Sequence, residues 1–276
     1  MDERTRLRLD VAYDGTAFSG WAAQPQRRTV AGVLVETLDL VLGTGVATGL
    51  TVAGRTDAGV HASGQVCHLD LPVDVWRAHE GRLLRRLARL LPTDVRVRAM
   101  RAVPATFDAR FSATFRRYEY RVTDAPWGCD PLRRHEILAW PRALDLDRLT
   151  AAAAGLVGEH DFAAYCRRKE NATTLREVTR LDWRRDADGI LVATVQADAF
   201  CQAMVRSLVG AMLVAGDGRR PVPWPADLLA RRERASEVTV APAHGLTLVA
   251  VGYPDDPAEY ARRAEATRRL RVSADG

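Results

Sequence analysis

An α/β fold of the α+β kind is predicted, with two halves that are each an antiparallel sheet backed by helices on one face, and a central cleft between them. Three observations predict it. Several segments alternate apolar and polar residues, the period of a half-buried strand, and the stretches between them repeat their apolar residues every three or four positions, the period of a surface helix. The order βαββαβ then recurs approximately in the two halves of a 276-residue chain, without a clear residue-level repeat.

Leu7, Leu9, Val11 and Tyr13 alternate with Arg6, Arg8 and Asp10 and read as the first strand. Thr29 can cap a helix whose apolar positions are Val30, Leu34, Leu38 and Val41, and which Gly43 and Gly45 end. Strands near 50–53 and 65–71 flank a glycine-rich loop at 54–64. A helix at 83–91, stopped by Pro92, and a strand at 95–103 complete the first half. In the second half the strand 115–122 puts Tyr118, Tyr120 and Val122 on one face and Arg117, Glu119 and Arg121 on the other. A helix at 146–156, strands at 179–184 and 190–197, a helix at 201–214 and a closing strand at 246–251 follow. These boundaries divide the chain into an N-terminal half, 1–112, a C-terminal half, 113–253, and a charged tail, 254–276. The tail reads as a solvated helix with a frayed Ser-Ala-Asp-Gly end.

Hydrophobic residues make up 47% of the chain, enough for one large core or two medium ones, and its apolar runs fall short of a bilayer span. With an N-terminus that opens on charged residues, a cytoplasmic protein is expected. The four cysteines, Cys67, Cys129, Cys166 and Cys201, show no C-x-x-C pair and read as reduced, mostly buried thiols. A net charge of +5 and a pI near 9.3 favour an anionic partner only modestly. Lys169 is the only lysine and Asn171 the only asparagine, so the arginine excess follows a general compositional skew.

The densest polar loop is Gly54-Arg55-Thr56-Asp57-Ala58-Gly59-Val60-His61. Its glycines permit close backbone approach, but Val60 and His61 stand where a phosphate-cradling loop carries lysine and serine or threonine. Asp57 is then either an Asx-type turn residue or a carboxylate presented beside a strand for chemistry. Arg206 is the one charge on an apolar helix and needs a carboxylate partner, while Gly210, four residues on, signals close packing of that face. Tyr118 lies among arginines on a strand, a pattern that serves equally as sheet core or as a base-stacking platform with phosphate-holding neighbours. His61 and His68 lack the companions a zinc site needs, and no metal is expected.

Tyr13-Asp14-Gly15-Thr16-Ala17-Phe18-Ser19-Gly20-Trp21 and Ala53 to Ala62 together resemble the opening and the catalytic motif of the TruA family of tRNA pseudouridine synthases. The likeness continues through Phe107 to Thr114, Gly158 to Phe162, Met204 to Gly210 and Gly245 to Leu248, nearly the whole chain in order. Ala22 and Ala88 stand where the family commonly has glutamine and asparagine. The resemblance implies an isomerase with Asp57 as catalytic aspartate, acting as nucleophile, as a stabiliser of charge on the sugar or as base in a glycal route, Tyr118 as the ring stacked on the target uracil and Arg206 as the cation paired with the carboxylate. Arg55 and Leu246 are implied in substrate binding, and Arg27, Arg28 and Arg117 are expected to contribute phosphate contacts. The substrate implied is tRNA, modified at positions 38, 39 and 40 of the anticodon arm by a homodimer without any cofactor. A non-catalytic RNA-binding protein or tRNA chaperone, or a related synthase acting on other uridines, are the alternatives.

Overall fold

The computed structural model describes residues 3–167 and 173–272; the end of the tail expected to fray lies outside them. The chain first forms β1 (Arg4–Tyr13), α1 (Val30–Leu42), β2 (Thr48–Val52), β3 (His61–Pro72), α2 (Val73–His79), α3 (Leu83–Leu90) and β4 (Val95–Val103). Next come β5 (Phe115–Thr123), β6 (Leu138–Ala139), α4 (Leu146–Ala154), β7 (Gly158–Asp161), β8 (Leu175–Arg185), β9 (Leu191–Ala197), α5 (Met204–Gly216) and α6 (Trp224–Asp227). β10 (Leu246–Gly252) and α7 (Glu259–Val272) close the chain. These elements cluster into two units, one running up to Thr114 and completed by Leu248–Leu270, the other Phe115–Thr247.

In the first unit the strand order is β4-β1-β3-β10, with β2 also pairing β3. β1 is antiparallel to both neighbours, Leu9 standing opposite Cys67 on one side and Met100 on the other. The alternation in β1 is realised in full: Leu7, Leu9 and Val11 have no exposed surface and Tyr13 only 5%. α1 supplies Val30, Leu34, Leu38 and Val41 as buried residues, and its first turn is fixed by Thr29, whose hydroxyl accepts from the Gly32 amide. Each such aliphatic side chain removed from water contributes about 1.5–3 kcal/mol.

The opposite face of β1 carries Arg6, Arg8 and Asp10. Arg6 meets Asp70 of β3 in a two-pronged ion pair, both bonds 2.8 Å, and donates to the carbonyls of Ala105 (2.7 Å) and Phe107 (2.9 Å). This ties the 104–114 loop onto the sheet, where Phe107 and Ala109 join Ala53, Val66 and Tyr260 in one apolar cluster. The helix predicted after Pro254 is present as α7, but it is not solvated all round. Tyr260 and Ala264 are buried, the Ser112 hydroxyl donates to the Tyr260 carbonyl at 3.1 Å, and Arg268 pairs with Asp108 at 3.0 Å.

The second unit has the strand order β5-β9-β8-β7, all antiparallel, with the short β6 added parallel to β5. Tyr120 and Val122 of β5 are fully buried, while Arg117, Glu119 and Arg121 alternate with them on the half-exposed side. α5 is buried along almost its whole length, and α4 adds Leu149, Ala152 and Ala153 to the same core.

The cysteines require a correction. Cys67 is a buried free thiol, raised in pKa by its burial, and Cys129 is free, but Cys166 and Cys201 are disulfide-bonded with their Cα atoms 5.6 Å apart. A separation of 35 residues hides the pair in the sequence, and the fold juxtaposes them where the Arg167 amide donates to the Gln202 carbonyl at 3.1 Å.

The Asp70 carboxyl is held below the ordinary range chiefly by its hydrogen bonds from Arg6, against the opposing effect of burial. A carboxylate depressed in this way stabilises the fold above its unfolded value of about 3.9 and loses that contribution as pH falls through the folded value. Asp70→Asn is therefore expected to lower unfolding free energy by about 1 kcal/mol at pH 7, with the deficit shrinking as pH falls below about 4. Urea melts of both proteins across that range check it.

Candidate active site

Asp57 lies in the loop that joins β2 to β3, and the loop is immobilised by main-chain bonds to the segment that follows β1. The Trp21 amide donates to the Thr56 carbonyl at 3.1 Å and the Gly59 amide to the Phe18 carbonyl at 3.3 Å, while within the loop the Val60 amide donates to the Asp57 carbonyl at 3.2 Å. The Gly15 amide donates to Nδ1 of His61 at 3.0 Å. Such contacts require two backbones to touch, and Gly15 permits it: a Cβ there would stand 2.0 Å from the Val60 carbonyl oxygen.

Beneath the loop is a buried polar network. The Tyr13 hydroxyl and Thr56 Oγ1 are 2.7 Å apart, and Gln65 Nε2 donates to both the Tyr13 hydroxyl (3.2 Å) and the Gly54 carbonyl (2.9 Å). Tyr13, Thr56 and Gln65 are 5%, 7% and 0% exposed. Around them the loop presents Arg55 and Ala58 to solvent, with Asp57 half-buried. Gln65 escapes a reading by motif, because nothing local sets it apart from the other polar residues of β3, Ser63, His68 and Asp70.

In the second unit, Tyr118, Arg206 and Leu246 were singled out by the sequence. Tyr118 is 8% exposed and packs edge-on against Phe200, ring centroids 5.3 Å apart. Arg206, half-buried on α5, donates from Nε to the Ala241 carbonyl at 2.7 Å, while the Ala241 amide returns a bond to the Arg206 carbonyl at 3.0 Å. Gly210 makes that approach practicable, since a Cβ would lie 1.8 Å from the Thr239 carbonyl oxygen; close packing of this face was the expectation from the sequence. Tyr120, unremarked in the sequence beyond its inward face, donates to the Pro242 carbonyl at 2.7 Å and feels the Arg206 charge. Leu246 follows as a buried residue at the start of β10.

The three arginines expected to touch phosphate differ in their setting. Arg27 is exposed. Arg28 makes a fork to both oxygens of Asp94, at 2.7 and 2.9 Å, and lies over the Phe18 ring at 4.0 Å, which gives it a structural task beside the 15–21 segment. Arg117 donates to Gln196 Oε1 at 2.8 Å and stands over the Phe115 ring. The imidazoles serve as backbone acceptors: Nδ1 of His68 takes the Ala109 amide at 3.0 Å, as His61 takes that of Gly15, and burial lowers the His68 pKa.

Comparison with known proteins specifies the chemistry. A family model described as tRNA pseudouridine synthase matches residues 152–254. The chain is 58% identical over 271 residues to tRNA pseudouridine synthase A of Frankia casuarinae, covering 98% of this chain and 97% of that protein. It is likewise 58% identical over 262 residues to the enzyme of that name from Streptomyces griseus, covering 95% and 92%. The family model and these relatives identify a tRNA pseudouridine synthase, an isomerase that modifies tRNA. More particularly, the chain belongs to the tRNA pseudouridine synthase A family.

The close approach at Gly210 generates a test. Alanine gains about 1 kcal/mol of helix propensity over glycine, but forcing a methyl into a carbonyl costs typically 1–3 kcal/mol. Gly210→Ala is expected to be destabilised on balance and to lose pseudouridine-forming rate, as read by thermal melting and by turnover on unmodified tRNA.

Proposed function

We propose that this enzyme converts uridine to pseudouridine at positions 38, 39 and 40 of the tRNA anticodon arm, with Asp57 as nucleophile. The observation that carries the reading is the setting of Asp57: a half-buried carboxylate in a loop pinned on both sides by main-chain hydrogen bonds. A rigid carboxylate is what the reaction needs, because its reacting atom is a sugar carbon that must be approached in one direction.

The reaction breaks the bond from ribose C1′ to uracil N1, turns the base and joins C1′ to C5, after which C5 loses its proton and N1 gains one, leaving the composition unchanged. No electrons are gained or lost overall. The target base first leaves its stack, at a cost of a few kcal/mol, and stacking on an aromatic ring returns about 1–3 kcal/mol. Tyr118 is assigned that ring. Asp57 attacks C1′ as the N1 bond breaks, offsetting the positive charge that develops on the sugar, and its bond to C1′ breaks again when C5 of the turned base attacks that carbon. Arg206 is assigned the task of keeping the carboxylate ionised, since a guanidinium favours the charged form that desolvation disfavours. Arg55, exposed beside Asp57, is assigned to holding the everted nucleotide, and Leu246 to a contact with the base. Arg27, Arg28 and Arg117 contribute phosphate contacts, so binding weakens steeply with salt. The working form is a cytoplasmic homodimer. Shape and backbone contacts outweigh base reading, because three successive nucleotides of differing neighbours must be accepted.

Carbodiimide-based mapping of unmodified tRNA after incubation with the enzyme is expected to show pseudouridine at 38, 39 and 40. Asp57→Ala should lose at least about a thousandfold in rate. Modification elsewhere would assign a different specificity, and tRNA binding with no product would favour a chaperone. Arg206→Met is expected to lower the rate by about a hundredfold and to move the acid limb of the pH–rate profile to higher pH. An unchanged rate and profile would remove Arg206 from this role.

A further inference from the structure

The chemistry assigned to Asp57 leaves unexplained why a buried polar cluster sits directly under its loop. Burying an amide, a phenol and a hydroxyl together is costly unless each is paired, and an apolar trio of the same size would fill the space more cheaply. Here each is paired to the others or to the loop itself. Gln65 Nε2 takes the Gly54 carbonyl at 2.9 Å and the Tyr13 oxygen at 3.2 Å, and the Tyr13 oxygen meets Thr56 Oγ1 at 2.7 Å. The Thr56 carbonyl is held separately by the Trp21 amide at 3.1 Å.

An amide nitrogen only donates, so the Tyr13 oxygen accepts from Gln65, and it shares a second hydrogen bond with Thr56 Oγ1 in which either oxygen can donate. The chain of hydrogen bonds runs from β3 through β1 into the loop, and it reaches the residue immediately before Asp57. Gly54 and Thr56 are both fixed, so the peptide that leads into Asp57 has its path set from two places on the sheet. Both anchoring side chains stand on strands that are paired on β1–β3, with Val11 opposite Gln65 and Tyr13 opposite Ala62 in the register. Arg55, between the two pinned residues, is consequently driven outward to solvent.

We infer that Tyr13, Thr56 and Gln65 are positioning residues for the Asp57 carboxylate, acting through the backbone of Gly54–Asp57 and not through contact with RNA. Their burial keeps them from the substrate, and the Gln65–Tyr13, Tyr13–Thr56 and Gln65–Gly54 bonds end on each other or on the loop. The inference rests on the assignment of Asp57 as the reacting carboxylate. Its consequence is specific: loss of a network hydroxyl lets the carboxylate wander without altering the surface that grips tRNA, so kcat falls while KM holds. Displacement of a reacting group by about 1 Å costs up to about a hundredfold in rate.

The experiment is steady-state pseudouridine formation on unmodified tRNA, with tRNA affinity by filter binding, for wild type, Tyr13→Phe, Thr56→Val, Thr56→Ser and Asp57→Ala. Tyr13→Phe removes one oxygen and leaves the ring beside Trp21, 5.9 Å between centroids. Tyr13→Phe and Thr56→Val are expected to lose about 10- to 100-fold in kcat, with KM and affinity changed by less than about twofold. Thr56→Ser, which keeps the hydroxyl, is expected to recover most of the rate. Wild-type kcat in both Tyr13→Phe and Thr56→Val, with Asp57→Ala inactive, would overturn the positioning role and leave the proposed function intact. Parallel loss of kcat, affinity and folded structure in Tyr13→Phe, or a failure of Thr56→Ser to recover, would overturn it too by making the network merely structural. An active Asp57→Ala would instead remove the carboxylate's role, and the positioning role with it.

Discussion

The structure of the first unit turns on one contact, the laying of the backbone after β1 against the backbone of the 54–61 loop. A loop of this length has few side chains to bury and would ordinarily be mobile. Here its amides and carbonyls at Thr56, Asp57, Gly59 and Val60 are engaged within the loop or with residues 18 and 21. Gly15 makes this practicable by having no side chain where the Val60 carbonyl lies. The rest follows from it. β1 and β3 must pair so that Tyr13 and Gln65 arrive beneath the loop, and Arg28 must be bound to Asp94 so that the neighbouring segment keeps its course.

A similar arrangement holds α5 in the second unit. Arg206 is exchanged in backbone and side-chain bonds with Ala241, and Tyr120 reaches Pro242 in the same stretch. A glycine on the helix again permits the contact. The two units thus use one physical device, in which a missing methyl lets an irregular segment lie against neighbouring backbone, a loop in one case and a helix in the other.

Much of the fold was legible in the sequence because it depends on periodicity. The alternation Leu7, Leu9, Val11, Tyr13 and the helical spacing of Val30, Leu34, Leu38 and Val41 report burial directly, and β4 and β5 begin at the residues the pattern gives. α2, β6 and β7 were missed, as elements of seven, two and four residues are too short for a period to register. α7 was read as solvated because its charged residues outnumber the two that matter, Tyr260 and Ala264. The Cys166–Cys201 bond depends on tertiary approach and has no local signature.

At the site, the loop carrying Arg55 and Asp57 was legible through its glycines and its likeness to a known motif, whereas its support was not. Tyr13, Thr56 and Gln65 come from β1, the loop and β3, and no local pattern links a buried glutamine to a tyrosine 52 residues away. The claim that the loop is preorganised is tested most directly by backbone hydrogen exchange of the Trp21, Gly59 and Val60 amides in the free enzyme. The account predicts exchange slowed to nearly the rate of global unfolding, as for amides in the paired strands β1 and β3. Exchange as fast as that of exposed loop amides would contradict it.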